Sequence, residues 1–516
     1  MDAEIAYLFR HALLREGAYQ LQLPSDRSRL HGLAFEIIEG LLGPLPQPPE
    51  LGTDADLPID AVAAEMALHA RNAADNDNSP LWRDRQRRCL VRAAQHSHTG
   101  FRNLEALDFT IQAINLAERP IGKAGLSWRA ASLARTCGRL ADAERFATSG
   151  LALVEELEAA GADRDGQTSL GHLHGLLATQ KAAILAQLGR PLDSVSLFEL
   201  ARKCFQRAGD PGQEAYCCGQ LGDTLTHLGR HAQAIAVLEE GRQLATDAGN
   251  QMAVAVCSSA LAEVATQQGR TAKAEEIYRS VLALTRAAKL QSPELTATAR
   301  LGILYTKTGQ YEESLAQSLA ALELAKKLGY RVQQAAIEIN VGVAYQAMRR
   351  FREAERIFVD TLVVVREIGS KEKELYCLGN LGTALKALGR LAEARTCLQG
   401  AMELAESLHR PAAQSQWEGC LGVVYLSENE VAKATHHVQR ALDQARKIND
   451  PRLTGIWTGS LALINVSVGN TTEAKKQWLE AEQILTDAND AGSITQLKTD
   501  LNACAAKRGF PPLEQW

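Results

Sequence analysis

Asn340 and Asn380 stand 40 residues apart, each directly ahead of a Val-Gly or Leu-Gly pair. A side-chain amide donates and accepts at once, so amides recurring at one position can hold the backbone of an extended peptide as a ladder. The same position carries Gln180, Gln220 and Arg300, with Ala260, Cys420 and Ser460 completing it. Three residues further on come Asp223 and Glu263, and four beyond those His227, Gln267 and Lys307. Four residues before the amide position are Tyr216 and Tyr376. Offsets of three and four fall on one stripe of a helix. The stripe is polar and charged through Lys307 and mostly apolar from Val343 to Leu463, which suits a ligand with one charged and one apolar end.

Groups spaced for catalysis or metal binding are scarce. Lys307-Thr308-Gly309 imitates a penicillin-binding motif, but it falls on a periodic turn. His96/His98 and His172/His174 are two residues apart, which places the rings on opposite sides of a helix, with no carboxylate or thiol at ligand spacing. His436-His437 is no stronger, and Asp163 with Asp165 begins a calcium-like loop that lacks its final acid. Arg83, Arg85, Arg87, Arg88 and Arg92 read as a solvated helix face in preference to a nucleic-acid site, given a net charge of −5. No Gly-x-x-x-x-Gly-Lys-Ser/Thr loop occurs. The expectation is a protein with no catalytic residue, no metal and no cofactor.

The elements that must position the stripe are set by three columns with a 40-residue period. Leu221-Gly222, Leu261-Ala262, Leu301-Gly302, Val341-Gly342, Leu381-Gly382, Leu421-Gly422 and Leu461-Ala462 form the first. Gly189, Gly229, Gly269, Gly309, Gly389 and Gly469 form the second, with Arg349 and Asn429 in its gaps. The third is small: Ser194, Ala234, Ala274, Ser314, Ala354, Ala394, Ala434 and Ala474. Helical apolar spacing on both sides of a residue able to adopt positive φ predicts a helix, a turn and a second helix. Small residues let the two axes approach, and each pair leaves an apolar face that only the next pair covers.

Leu301-Gly302…Tyr305, Leu421-Gly422…Tyr425 and Val341-Gly342…Tyr345, each with a small residue twelve positions after the glycine, resemble the tetratricopeptide repeat. That family's usual unit is about 34 residues, so the helices here are expected to be longer. The resemblance implies an all-α, right-handed α-solenoid of antiparallel helix pairs whose first helices line a concave groove. It also implies that Asn340 and Asn380 hold peptide backbone.

Residues 7–40 resemble the end of the winged-helix domain of bacterial signal-transduction ATPases, through Phe9, His11, Leu13, Ala18-Tyr19, Leu23-Pro24, Arg27 and His31. In that family the histidine matching His11 reads nucleotide phosphates. Here, without a phosphate-cradling loop, His11 is expected to be a packing relic or part of the sensor half of a split ATPase.

Aromatic residues are 5% of the 516, which fits a helical array packed with Leu, Ala and Val. Charges interrupt the start, and no apolar run reaches membrane-spanning length. Ten scattered cysteines without a Cys-x-x-Cys pair suggest buried thiols and a cytoplasmic setting. The expected organisation is a winged-helix remnant or cap at 1–43, a proline-rich linker at 44–58, irregular repeat-like helices at 59–160, eight regular units at 173–488 and a capping helix at 489–508, opened by a Ser493/Gln496 capping box. The expected function is a scaffold binding a protein or peptide in the groove through Asn340, Asn380, Arg300, Gln220, Gln180, Asp223, Glu263, Tyr376 and Lys307. The alternatives are a sensor arm partnered with a P-loop ATPase, and a non-catalytic regulator or phosphatase acting on a signalling protein. Neither nucleic acid nor membrane is expected as a partner.

Overall fold

A computed structural model describes residues 23–46, 57–74, 79–161, 167–488 and 490–515, and every regular element among them is a helix. His11, Phe9, Leu13 and Ala18-Tyr19 lie outside the described residues, as do Asp163 and Asp165. The chain divides into two compact units, Met1–Lys181 and Ala182–Trp516.

The first unit contains α1 (Pro24–Leu42), a short 3-10 helix (Pro58–Val62), α2 (Ala63–Ala74), α3 (Pro80–Thr99), α4 (Asn103–Asn115), α5 (Pro120–Thr136), α6 (Leu140–Ala159) and the first part of α7 (Gln167–Gln187). Pro24 opens α1, where its fixed φ suits a first turn and its missing N–H is not needed. Phe35, Ile59, Met66, Cys89 and Leu90 share one buried core, and Ser28 Oγ ties α1 to α2 by donating to the Ala73 carbonyl at 2.6 Å.

Of the five arginines of α3 only Arg83 is exposed; the other four are not the solvated face their spacing suggests. Arg92 is 2% exposed and forks onto Asp60, Nε to Oδ1 and Nη2 to Oδ2, both at 2.6 Å. Arg88 donates to the Leu45 carbonyl at 2.9 Å. Arg85 lies over the Trp82 ring at 4.7 Å, and Arg87 pairs with Asp84. The partners come from the 3-10 helix and the 43–46 loop as well as from α3 itself, so tertiary placement turns a run of charge into internal bracing.

The second unit continues with α8 (Pro191–Ala208), α9 (Pro211–His227), α10 (His231–Asp247), α11 (Gln251–Gln267), α12 (Thr271–Ala287), α13 (Gln291–Lys307) and α14 (Tyr311–Lys327). It then runs through α15 (Arg331–Ala347), α16 (Phe351–Ile368), α17 (Lys371–Ala387), α18 (Leu391–Ser407) and α19 (Pro411–Ser427). It ends with α20 (Val431–Lys447), α21 (Pro451–Val468), α22 (Thr471–Asp487) and α23 (Ala491–Arg508). From α7 on, odd-numbered helices open a pair and even-numbered ones close it, so the fold is an all-α solenoid. Most helices are 17 residues long, and two of them with two three-residue turns fill the period.

All eight residues of the turn column have positive φ, from Gly189 at +84° to Gly469 at +88°, with Arg349 at +60° and Asn429 at +62°. A second column, unremarked in the sequence, does the same between pairs: Gly209, Gly249, Lys289, Gly329, Gly369, His409 and Asn449. Each turn closes by a backbone bond of the Schellman type, as when Arg230 N–H donates to the Leu225 carbonyl at 2.9 Å. Arg349, exposed and strained, is the position to relieve. Arg349→Gly is expected to stabilise the protein by about 0.5–1 kcal/mol, because the left-handed penalty exceeds the entropy glycine adds to the unfolded chain. A lower urea midpoint for the variant would show that the arginine side chain contributes more than its backbone costs.

The final helix is capped by Asp490 and not by Ser493: the Asp490 carboxylate accepts from the Ser493 N–H at 3.0 Å. The apolar stripe of α23 closes the array, with Leu497 and Leu501 buried in the last cluster and Ile494 and Cys504 packed against it.

Candidate functional site

Curvature decides which columns share a surface. Successive odd-numbered helices from α9 to α23 pack on one another, whereas no two even-numbered helices of the array make comparable contact. The odd helices therefore form the inner, concave face. Arg300 on α13 makes this concrete by reaching past α11 to ion-pair with Asp223 on α9, and its Nη1 donates to the Ser259 carbonyl of α11 at 3.4 Å.

The charged part of the stripe is engaged with itself. Burial works against ionisation of Asp223, but the Arg300 guanidinium, with His227 3.7 Å away, outweighs it and holds the carboxyl below its ordinary range. The pair thus contributes stability above the usual carboxylate range and loses it as pH falls through the lowered value. Glu263 accepts from the Tyr278 hydroxyl at 3.2 Å and from Gln267 Nε2 at 3.3 Å. Burial, then the facing Glu263, pushes the Tyr278 phenol up, with Arg300 opposing. Gln180 belongs to the first unit, where it accepts from Arg135 Nε at 3.2 Å.

The amides behave differently. Gln220, Asn340 and Asn380 are half-buried, and among the described residues their side chains have no hydrogen-bond partner. Gln346 on α15 reaches α17, donating to the Asn380 carbonyl at 2.8 Å and the Thr383 hydroxyl at 2.7 Å. Gln346 lies five residues after Val341, outside the stripe legible in the sequence; its signal is that this position faces the amide position of the next pair. Lys307 is exposed at the end of α13. Tyr376 is half-buried between Glu372 and Arg410, and burial raises its phenol. Val343, Tyr376, Cys420 and Leu426 pack half-buried against the core of the later pairs, giving the groove an apolar wall.

Two histidines acquire carboxylates that their sequence spacing did not offer. His174 Nδ1 lies 3.0 Å from Glu158 Oε1, and His437 Nδ1 lies 2.8 Å from Glu418 Oε1 while its ring stacks on Tyr425. Each pair links neighbouring helices. The column thiols Cys217, Cys257 and Cys377 are fully buried, and burial pushes Cys257 and Cys377 up to about 12, which leaves them unreactive. Among the described residues no group of three His, Cys, Asp or Glu side chains is arranged to hold a metal, and no helix is long and apolar enough to cross a membrane.

An array of helix pairs with a small-residue interior and an inner polar stripe defines a helical-repeat protein. The family model of the tetratricopeptide repeat matches residues 214–287, 294–367 and 333–407. No curated protein matches the sequence. Among solved structures, BtubC from P. vanneervenii is 23% identical over 43% of this chain and 92% of its own, with a TM-score of 0.36. A Rap protein complexed with competence and sporulation factor is 13% identical over 75% of this chain and 98% of its own, with a TM-score of 0.48. A signal-transduction ATPase with a tetratricopeptide-repeat sensor, from Pyrococcus horikoshii, is 14% identical over 83% of this chain and 64% of its own, with a TM-score of 0.44.

Proposed function

We propose that the inner face built by α13 to α19 binds an extended segment of a protein partner. One observation carries this reading: Asn340 and Asn380 stand half-buried on successive inner helices with no intramolecular partner among the described residues. An amide that is partly desolvated and unbonded carries a cost that a peptide backbone relieves by donating and accepting at once. The apolar wall of Val343, Cys420 and Leu426 receives the segment's side chains on one side, and the exposed Lys307 offers a cation on the other. Tyr376 flanks the ladder and Gln220, on α9, offers a separate amide further along the inner face, while Asp223, Glu263 and Arg300 brace the curvature. The test is capture of partners from native cytosol on the full chain and on the Asn340→Ala/Asn380→Ala variant in parallel. The variant is expected to lose the partner, roughly a hundredfold in affinity for two hydrogen-bonded anchors, with an almost unchanged melting transition. Equal retention by both proteins removes the groove from consideration.

A second reading, a sensor arm working with a signal-transduction ATPase, is favoured by α1. Leu30, Leu33, Ile37 and Leu41 form an exposed apolar stripe there, 47%, 53%, 54% and 78% exposed, the kind of surface that marks a protein contact. The same capture decides it: a P-loop ATPase retained by both proteins and lost on deleting residues 1–43 supports the sensor arm.

A further inference from the structure

We infer that the array is a two-armed clamp with a soft joint at its fourth helix pair, α13/α14, and that this structure is its closed form. Four observations within the second unit carry this. First, the array returns on itself. A methyl group placed on Gly189, in the turn between α7 and α8, lies 3.7 Å from Leu408 Cδ2, in the turn after α18. Second, Arg300 on α13 ties the joint's inner helix to the arm before it by pairing with Asp223 across three pairs, which leaves the yielding side of the joint at α14.

Third, the core thins at the joint. The even-helix residues that face the glycine or alanine of the first column are Phe198, Leu238, Tyr278, Ser318, Phe358, Leu398, Val438 and Trp478. Ser318 alone is small and has no ring or branched apolar body; it is 1% exposed, and among the described residues its hydroxyl has no hydrogen-bond partner. Buried apolar residues form one cluster that ends at Tyr305 and another that runs from Ile339 to Ile464, with small separate clusters between. Less apolar burial means a lower local opening energy.

Fourth, an open form has its own contact to make. Leu319 on α14 and Val359 on α16 occupy equivalent outer positions, 41% and 46% exposed, and Val363 beside them is 58% exposed. The corresponding residues elsewhere are Glu199, Glu239, Arg279, Gln399, Gln439 and Leu479, so that Leu319 and Val359 are the one adjacent pair of apolar residues in the column. Even helices do not pack together in the curved array, but straightening at the joint brings α14 and α16 towards each other and buries these side chains. The closed state thus seats Leu408 against the Gly189 turn and the open state would seat Leu319 against Val359, so each has a contact that the other lacks, which is the condition for two discrete arrangements. The clamp depends on the groove reading only for its use, which is to admit a ligand to the inner face.

Small-angle scattering and hydrogen exchange on the full chain, without ligand, test it. Leu408→Ala removes the closing contact and is locally tolerable, since Ala248 and Ala288 hold that position in other pairs; it is expected to enlarge the radius of gyration. Leu319→Gln with Val359→Gln, copying Gln399 and Gln439, removes the open contact and is expected to reduce the radius or leave only the compact form. Ser318→Leu, copying the Gly222–Leu238 pair, is expected to slow exchange in α13–α15 about tenfold. Superimposable scattering for the first two variants, or a shift in the same direction, overturns the clamp. Neither result alters the outcome for Asn340→Ala/Asn380→Ala, so the two readings fail separately.

Discussion

Trp417→Ala is expected to lower the stability of the array by about 3–5 kcal/mol, the range for deleting a fully buried aromatic ring. Trp417 is 1% exposed, and its indole occupies the space above Gly379 on the preceding odd helix, where any Cβ would overlap it. The same device joins the next pairs, with Trp457 on Gly419 and Leu497 on Gly459. One pair earlier the sizes are exchanged, with Ile339 at the glycine's position and Cys377 at the tryptophan's. Consecutive inner helices are therefore held by complementary volume, and removing the larger partner leaves a void that a one-dimensional array cannot fill from elsewhere. Trp417→Phe is the control: among the described residues Trp417 Nε1 is buried without a partner, so phenylalanine forfeits contact area but no hydrogen bond. Urea unfolding measures both; a loss below about 1 kcal/mol for the alanine variant would mean that the helices close over the gap.

Arg92→Met is expected to cost the first unit about 3–5 kcal/mol, because it strands the Asp60 carboxylate in a site only 2% exposed. The two-pronged pair at 2.6 Å is the only partnership of Asp60 with a basic side chain among the described residues. Replacing both partners with apolar residues, Asp60→Leu with Arg92→Met, is expected to recover most of the loss, since removing a buried pair together avoids the unpaired charge. Hydrogen exchange in α2–α4 reads the effect; protection unchanged in the single variant would show that water reaches Asp60 once the arginine is gone.

Much of the array was legible in the chain because its determinants are local and periodic. A glycine at Gly229 or Gly389 favours a left-handed turn whatever surrounds it, and the period places Arg349 and Asn429 in the same conformation although neither is glycine. The column shared by Cys217, Cys257, Cys377, Trp417 and Trp457 announced burial through its uniform apolarity. The second turn column was missed because Lys289, His409 and Asn449 dilute its glycines.

The candidate site was legible as a stripe but not as a set of partnerships. Asp223, Glu263, Arg300 and Asn340 look equivalent in the periodic pattern, each a polar residue on an inner helix. Only curvature brings Arg300 within reach of Asp223, 77 residues away, while leaving the Asn340 and Asn380 amides unbonded among the described residues. Arg92 and Asp60, or His437 and Glu418, are likewise ordinary in sequence and tightly paired in space. Helix, turn and repeat follow from the chain alone because hydrogen bonds and φ preferences act over a few residues. Which polar groups are used up internally and which remain available depends on the angle between successive helix pairs, and that angle is set by the summed volumes at contacts such as Gly379 with Trp417, which only the packed structure defines.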